Sequence, residues 1–247
     1  METHAHHLHK IPGKGWKHYF FEFLMLFLAV FCGFLAENFR EHQVENQQAK
    51  EYMKSMIEDL SNDTTHLSEV IDNFDRRKKK VDTVLLLYHE LPNGYNSVLR
   101  RNIKVVQGFP DFIKSDRTMQ NLKNSGSMRL IQKGKAAESI TEYDLAIRDL
   151  EIDVQGLTDI FNDLRKSWYE VFDDEALEID MRTKSEAQLE LGNKNYLLRA
   201  DKALLGRFNN EIRDYKLLCG YVAGRERNLK IQATQLIALL KNEYHLD

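Results

Sequence analysis

The chain has 247 residues, a formal net charge of −3, 43% hydrophobic and 30% charged residues. That length buries a real core in one or two domains, and this balance excludes both a wholly disordered chain and a multi-span membrane protein. Two cysteines exclude a disulfide scaffold and a zinc ribbon, the mild negative charge gives no bulk attraction to nucleic acid, and 12 Gly with 3 Pro leave few turns, so long helices are expected.

The N-terminal tail, residues 1–17, holds His4, His6, His7 and His9. Imidazoles bind transition metals, but no Cys or Asp completes a rigid site, so the expectation is a flexible tail with no metal and no cofactor. From Tyr19 to Ala36 the chain then reads YFFEFLMLFLAVFCGFLA, with Glu22 its sole ionisable side chain. At 1.5 Å per residue the stretch spans roughly 27 Å, close to the hydrocarbon thickness, and a transmembrane helix over 18–39 is predicted. A cleaved signal peptide is the competing reading. It is disfavoured because Phe34 stands where a peptidase needs a small residue, and Phe31 precedes Cys32 where a lipoprotein signal wants one. Lys10, Lys14 and Lys17 before the span, against Arg40 and Lys50 after it, place the N-terminus inside by a small margin. A cytoplasmic C-terminal part is the alternative. Glu22 lies about one turn inside the apolar stretch, where an ionisable group either snorkels to the interface or pairs with other spans. Ala29 and Gly33 add a weak small-residue face for association.

Residues 40–247 read as one helical domain. The first tract, within a helix predicted over about 40–90, steps by four and three through Met53, Ile57, Leu60, Thr64, Leu67, Ile71, Phe74, Lys78, Val81, Leu85 and Tyr88, and ends at Leu91-Pro92-Asn93-Gly94. Its basic run, Arg76 to Lys80, could grip phosphates or an acidic partner. A solvated helix face is preferred, neutralised by Asp72, Asp75 and Asp82 three or four residues away. Residues 95–134 carry turns at 108–110, 124–126 and 133–134 and are expected to form short helices, with Ser115 or Asp116 as an N-cap. There Ser125, Ser127 and Arg129 form a candidate contact for a carboxylate or phosphate, with structural capping the more frequent explanation. The second tract, in a helix over about 136–172, runs Ile140, Tyr143, Ile147, Leu150, Val154, Leu157, Phe161, Leu164, Trp168, Val171. The third, in a helix over about 197–244, runs Phe208, Ile212, Tyr215, Cys219, Val222, Glu226, Leu229, Ala233, Leu236, Leu240. Cys219 on this stripe reads as a buried, inert thiol.

The fold expected is therefore all-α: the membrane helix continues into an antiparallel three- to four-helix bundle with left-handed, coiled-coil-like packing. No His-Glu-x-x-His, phosphate-cradling glycine loop or nucleophile elbow is present, so no catalytic residue is assigned and an enzyme is not expected.

Two stretches, Trp16 to His42 (with EFLMLFLAVFCGFLAENFREH) and LKNSGSMRLI at 122–131, together resemble a family of uncharacterised single-span envelope proteins of Gram-negative bacteria that carry a helical domain of unknown function. The resemblance implies an inner-membrane anchor. It also implies that Glu22, Glu37, Asn38 and Arg40 belong to a recurring motif at the membrane end. It brings no activity, cofactor or named partner. The partners expected are the lipid bilayer and an envelope protein or further copies of this chain, with no nucleic acid. A subunit of a transport or energy-coupling assembly using Glu22, and a sensing domain that signals through another protein, are the alternatives.

Overall fold

The structure is a computed structural model that describes residues 15–131 and 134–246; the four N-terminal histidines, Lys10, Lys14 and Lys133 lie outside the described residues. Among the described residues the chain is all-helical, with one isolated bridge between Phe172 and Leu197 and no strand. Seven α-helices occur: α1 Trp16–Leu87, α2 Ser97–Ile103, α3 Arg117–Asn124, α4 Gly134–Val171, α5 Asp174–Thr183, α6 Glu186–Gly192 and α7 Lys202–Tyr244, with 3-10 turns at Tyr88–Asn93, Lys104–Gln107 and Ser127–Leu130. The third long helix thus starts at Lys202 rather than near 197, because Asp201 caps it by accepting from Leu204 N at 2.9 Å. The two leucines before it are in the bridge region, where Leu198 N donates to Val171 O.

The residues divide into two compact units, Met1–Glu51 and Tyr52–Asp247. In the first, α1 is uninterrupted, with no proline or capping residue to stop it. Its apolar residues from Tyr19 to Phe39 are exposed apart from the half-buried Phe23-adjacent Leu24.

In the second unit, α4 and α7 run in opposite directions, since Arg207 pairs with Glu170 at 2.8 Å and Arg225 with Asp153 at 2.9 Å. The part of α1 beyond Tyr52 also runs opposite to α7: Arg227 meets Asp75 at 2.5 Å, and Tyr88 donates to Leu205 O at 2.7 Å. The irregular segment between α1 and α4 travels back along α1. Arg77 holds Val105 O, His66 meets Ile113 O, Asp63 takes Ser115 N, and Asp59 takes Thr118 N. The short helices therefore form a layer of their own beside α1.

All ten positions of the third tract are buried, as are Ile140, Tyr143, Ile147, Leu150, Leu157, Leu164, Trp168 and Val171 of the second. Val154 and Phe161 are half-buried. The first tract is shifted by one residue at four positions: Met56, Asp63, Arg77 and Val84 turn further inward than Ile57, Thr64, Lys78 and Leu85, of which Lys78 is exposed and the others half-buried. Met53, Leu60, Leu67, Ile71, Phe74 and Val81 are buried as expected, with Asp59 and Val70 beside them, and Tyr88 is half-buried. The stripe keeps its spacing but carries Asp63 and the half-buried Arg77 where Thr64 and Lys78 were expected. Both are hydrogen-bonded, Asp63 to Ser115 N and the Tyr143 hydroxyl and Arg77 to Val105 O, Gly108 O and Asn73, so burial does not leave them unsatisfied.

The turns at 92–94 and 192–195 meet. Asn195 Nδ2 donates to Pro92 O at 2.8 Å, and Gly94 takes φ 129° with no room for a side chain: a Cβ there would stand 2.0 Å from Asn193 Oδ1. Glycine is required at this position by both the dihedral and the close approach.

Candidate functional site

The residues expected at a membrane end sit on α1 in the first unit. Glu22 is exposed, with His18 Nε2 4.0 Å from its Oε2 one turn earlier. Arg40 Nε and Nη2 fork onto the two oxygens of Glu37 at 3.1 and 2.5 Å, and Asn38 is exposed beside them. Such an i, i+3 pair ties the end of the apolar stretch locally and leaves the apolar surface itself uncovered. Cys32 is exposed on the same stretch.

Of the three residues expected to contact an anion, Ser125 and Ser127 come together on one turn. Ser125 Oγ lies 2.6 Å from Asn121 O and 2.7 Å from Ser127 Oγ, Ser127 N donates back to Ser125 Oγ, and Tyr52 OH reaches Ser127 Oγ at 3.4 Å. Gly126 between them is left-handed at φ 67°. The hydroxyls thus close α3 and attach the turn to α1. Arg129 is exposed on the 3-10 turn that follows.

The polar centre that hydrophobic periodicity did not reveal is formed by Asp59 and Asp63, one turn apart on α1 and 4% and 1% exposed. Asp116 does stand at the N-cap of α3, but its side chain makes no capping bond. Instead Asp59 Oδ2 accepts from Thr118 N at 2.9 Å, and Asp63 Oδ1 accepts from Ser115 N at 2.7 Å. A carboxylate from another helix, Asp59, therefore does the capping, while Asp63 fixes the residue before the N-cap. Tyr143 of α4 donates to Asp63 Oδ2 at 2.8 Å. Burial pushes the Asp63 carboxyl above its ordinary range, opposed by these two hydrogen bonds, and it pushes the Tyr143 phenol upward too, with the Asp63 charge adding to that. A cleft of about 200 Å³ opens over this centre. Its rim neutralises itself: Lys114 pairs with Glu151, and Lys123 and Arg148 both pair with Asp144. The inner oxygens are committed: Asp59 Oδ2 and Asp63 Oδ1 hold backbone N–H groups, and Asp63 Oδ2 takes the Tyr143 hydroxyl.

At the other end of the unit, Arg100 lies over the rings of Trp168 at 5.2 Å and Phe172 at 4.8 Å and forms an ion pair with Asp174. The second oxygen of Asp174 accepts from Trp168 Nε1 at 2.6 Å. The adjoining cavity is only about 30 Å³, one water's worth, so this cluster reads as a lock between α2, α4 and α5.

The acids expected to neutralise the basic run on α1 turn elsewhere. Asp75 pairs with Arg227 and Asp82 with Lys216, both on α7, and Asp72 makes no ion pair among the described residues. Facing the core on α7, Glu226 is 0% exposed, and among the described residues neither carboxylate oxygen has a hydrogen-bond partner. Burial pushes its pKa up to about 8, with the charge of Asp111 adding to the shift and Arg227 opposing it. Burial likewise pushes the Cys219 thiol up to about 12, which makes it unreactive near neutral pH.

These features define an all-helical protein with one helix long and apolar enough to cross a membrane. Comparison with protein-family profiles, curated proteins and solved structures finds no match.

Proposed function

We propose that the chain is a non-enzymatic, single-pass inner-membrane protein whose helical part, on the extracytoplasmic side, serves as a scaffold or binding module for another envelope component. One observation carries this reading: the 18-residue apolar window of α1 has none of its residues buried, so its surface requires a covering that the second unit's own closed core does not need. The lysines before the span and the likeness to single-span envelope proteins support the orientation. The alternating directions of α1, the short-helix layer, α4 and α7, with burial recurring by threes and fours, support an antiparallel bundle with left-handed, coiled-coil-like packing. The commitment of Asp59, Asp63 and Tyr143 to backbone and to each other supports a structural rather than a catalytic use of the buried polar groups.

Protease protection in intact and permeabilised spheroplasts tests the sidedness. Digestion of the C-terminal part from outside, together with one dominant partner trapped by crosslinking in living cells, is the expected result. Protection from outside, or capture of random neighbours alone, overturns the reading.

A second reading is favoured by Glu22: an exposed carboxylate on an otherwise apolar surface, paired with His18 at 4.0 Å, would be met by copies of itself or by another span in an oligomeric transport or energy-coupling assembly. Glu22→Gln should then disturb assembly while leaving insertion intact, and an indifferent variant refutes it.

A further inference from the structure

On the second unit, the α1 face built from Asn73, Arg76, Arg77 and Lys80 meets Arg101 and Lys104 of the α2 end across a groove of about 330 Å³. The spacing of three, four and seven residues places the α1 members on one side of the helix. No acidic residue lines the groove. Among the described residues, Arg76, Lys80 and Lys104 have no ion-pair partner, and Arg101 has only a long, exposed contact with Glu186 at 3.4 Å. This is charge segregation in a chain whose net charge is −3. It arises because Asp75 and Asp82 are drawn to α7, so like charges such as Arg76 and Lys80 repel with nothing beside them to offset it.

Arg77 gives the groove a fixed wall. Its Nη1 donates to Val105 O and Gly108 O, both at 2.6 Å, and its Nε to Asn73 Oδ1 at 2.9 Å, so the guanidinium is tied to the backbone behind the groove. Gly108 O is held from behind by Tyr215 OH at 2.6 Å. A guanidinium locked in this way puts a permanent positive charge at a fixed place in the wall, and no side-chain ordering is lost there when an anion binds. The groove volume is in the range of small-ligand sites and about ten times one water's share of liquid, so it has room for more than a single phosphate.

We propose that this groove is a binding site for clustered phosphate, the chemistry of a compound bearing two or more phosphate groups, with Arg76, Lys80 and Lys104 as the contacting cations and Arg77 as a fixed positive charge in the wall. The site belongs to the helical unit and stands or falls independently of the membrane reading.

The test is calorimetric titration of the full-length chain in neutral detergent with inorganic tripolyphosphate, and, as a second arm, flotation with phosphatidylcholine vesicles with and without phosphatidic acid. Two double variants remove equal charge: Arg76→Gln with Lys80→Gln inside the groove, and Lys78→Gln with Lys79→Gln on exposed positions of the same helix outside it. Tripolyphosphate binding that weakens about tenfold or more in the first pair and stays within about twofold in the second supports the site for a soluble ligand. The same pattern seen only with phosphatidic acid vesicles supports it with a lipid headgroup as the source. Equal loss in both pairs, which diffuse electrostatics would produce, or no binding in either arm, overturns it. All four substituted side chains are exposed, so helicity by circular dichroism is expected to be unchanged.

Discussion

Replacing the buried Glu226 by Gln should remove a large pH dependence from the stability of the helical unit. The carboxyl is fully enclosed, neither oxygen has a partner among the described residues, and its pKa stands at about 8 against an ordinary 4.5. Below the ordinary value the group is protonated in both the folded and unfolded chain and imposes no penalty. Between the two values the unfolded chain releases its proton while the folded chain keeps it, so stability falls with rising pH by about 1.4 kcal/mol per unit. The loss is about 3 kcal/mol at neutral pH and approaches about 5 kcal/mol above the folded value. That is a large fraction of the roughly 5–15 kcal/mol that holds a typical domain together. Glutamine keeps the shape of the neutral acid and does not titrate.

The measurement is urea unfolding of the full-length chain in mild detergent, read by Trp168 fluorescence with Trp16→Phe present in both proteins so that one indole reports. Trp168 is buried against Phe172 and Phe208 and senses the unit that contains Glu226. The stability advantage of Glu226→Gln over the parent should grow by about 4 kcal/mol between roughly pH 5 and pH 9. A difference that stays constant within about 1 kcal/mol over that range would show that the acid ionises in place at ordinary pH, and the reasoning fails. Removing the charge of Asp111 by Asp111→Asn should lower the Glu226 pKa and shift the transition to lower pH, since that carboxylate adds to the shift.

Asp63→Ala strands Ser115 N–H and the Tyr143 hydroxyl, and should lower stability by roughly 2–4 kcal/mol. Hydrogen exchange should show the Ser115 amide losing protection first; unchanged exchange there would contradict the role of Asp63 in fixing it. Gly94→Ala forces a side chain into Asn193 at a positive φ and should cost about 1–3 kcal/mol in urea unfolding, whereas Gly126→Ala, with open space around it, should lose less. Asp180 is held below the ordinary carboxylate range by the Tyr196 hydroxyl and by Lys184 and Lys194. Its contribution is present above the ordinary value and lost as pH falls through the lowered one, so acid unfolding of Asp180→Asn should show a shallower fall in stability at low pH than the parent.

How far the sequence could be read differs between the helices for a physical reason. On α7 Phe208, Ile212, Tyr215, Leu229 and Ala233 of the stripe each stand between polar neighbours, which sets the phase for the whole helix, and even Glu226 falls in register. On α1 apolar residues come in adjacent pairs, Met56-Ile57, Val70-Ile71 and Val84-Leu85, and hydrophobicity cannot choose between members of a pair. The choice is made by Asp63 and Arg77, which occupy the stripe because backbone groups far along the chain need a carboxylate and a guanidinium there. Their partners lie in 105–118, a segment without periodicity, so nothing local marked either residue as inward-facing. The same blindness applied to charge. Pairs three or four residues apart on a solvated helix are worth only a few tenths of a kcal/mol, so Arg227 and Lys216 on α7 outcompeted the neighbours within α1 for Asp75 and Asp82.

That competition connects the fold to the proposed binding groove. Each acid that crosses to α7 adds an attachment between helices and at the same moment strips a counter-charge from Arg76 to Lys80. The basic groove is thus a by-product of the packing, and its charge should respond to it. Reversing the pair as Asp75→Lys with Arg227→Asp should restore the attachment but bring a further cation to α1, and tripolyphosphate should then bind more tightly than to the parent. The single Arg227→Ala frees Asp75 to turn back toward Lys79, and should weaken tripolyphosphate binding without touching any residue that lines the groove. If Arg227→Ala leaves the affinity unchanged while Arg76→Gln with Lys80→Gln abolishes it, the groove acts by direct contact alone and the coupling to α7 is refuted.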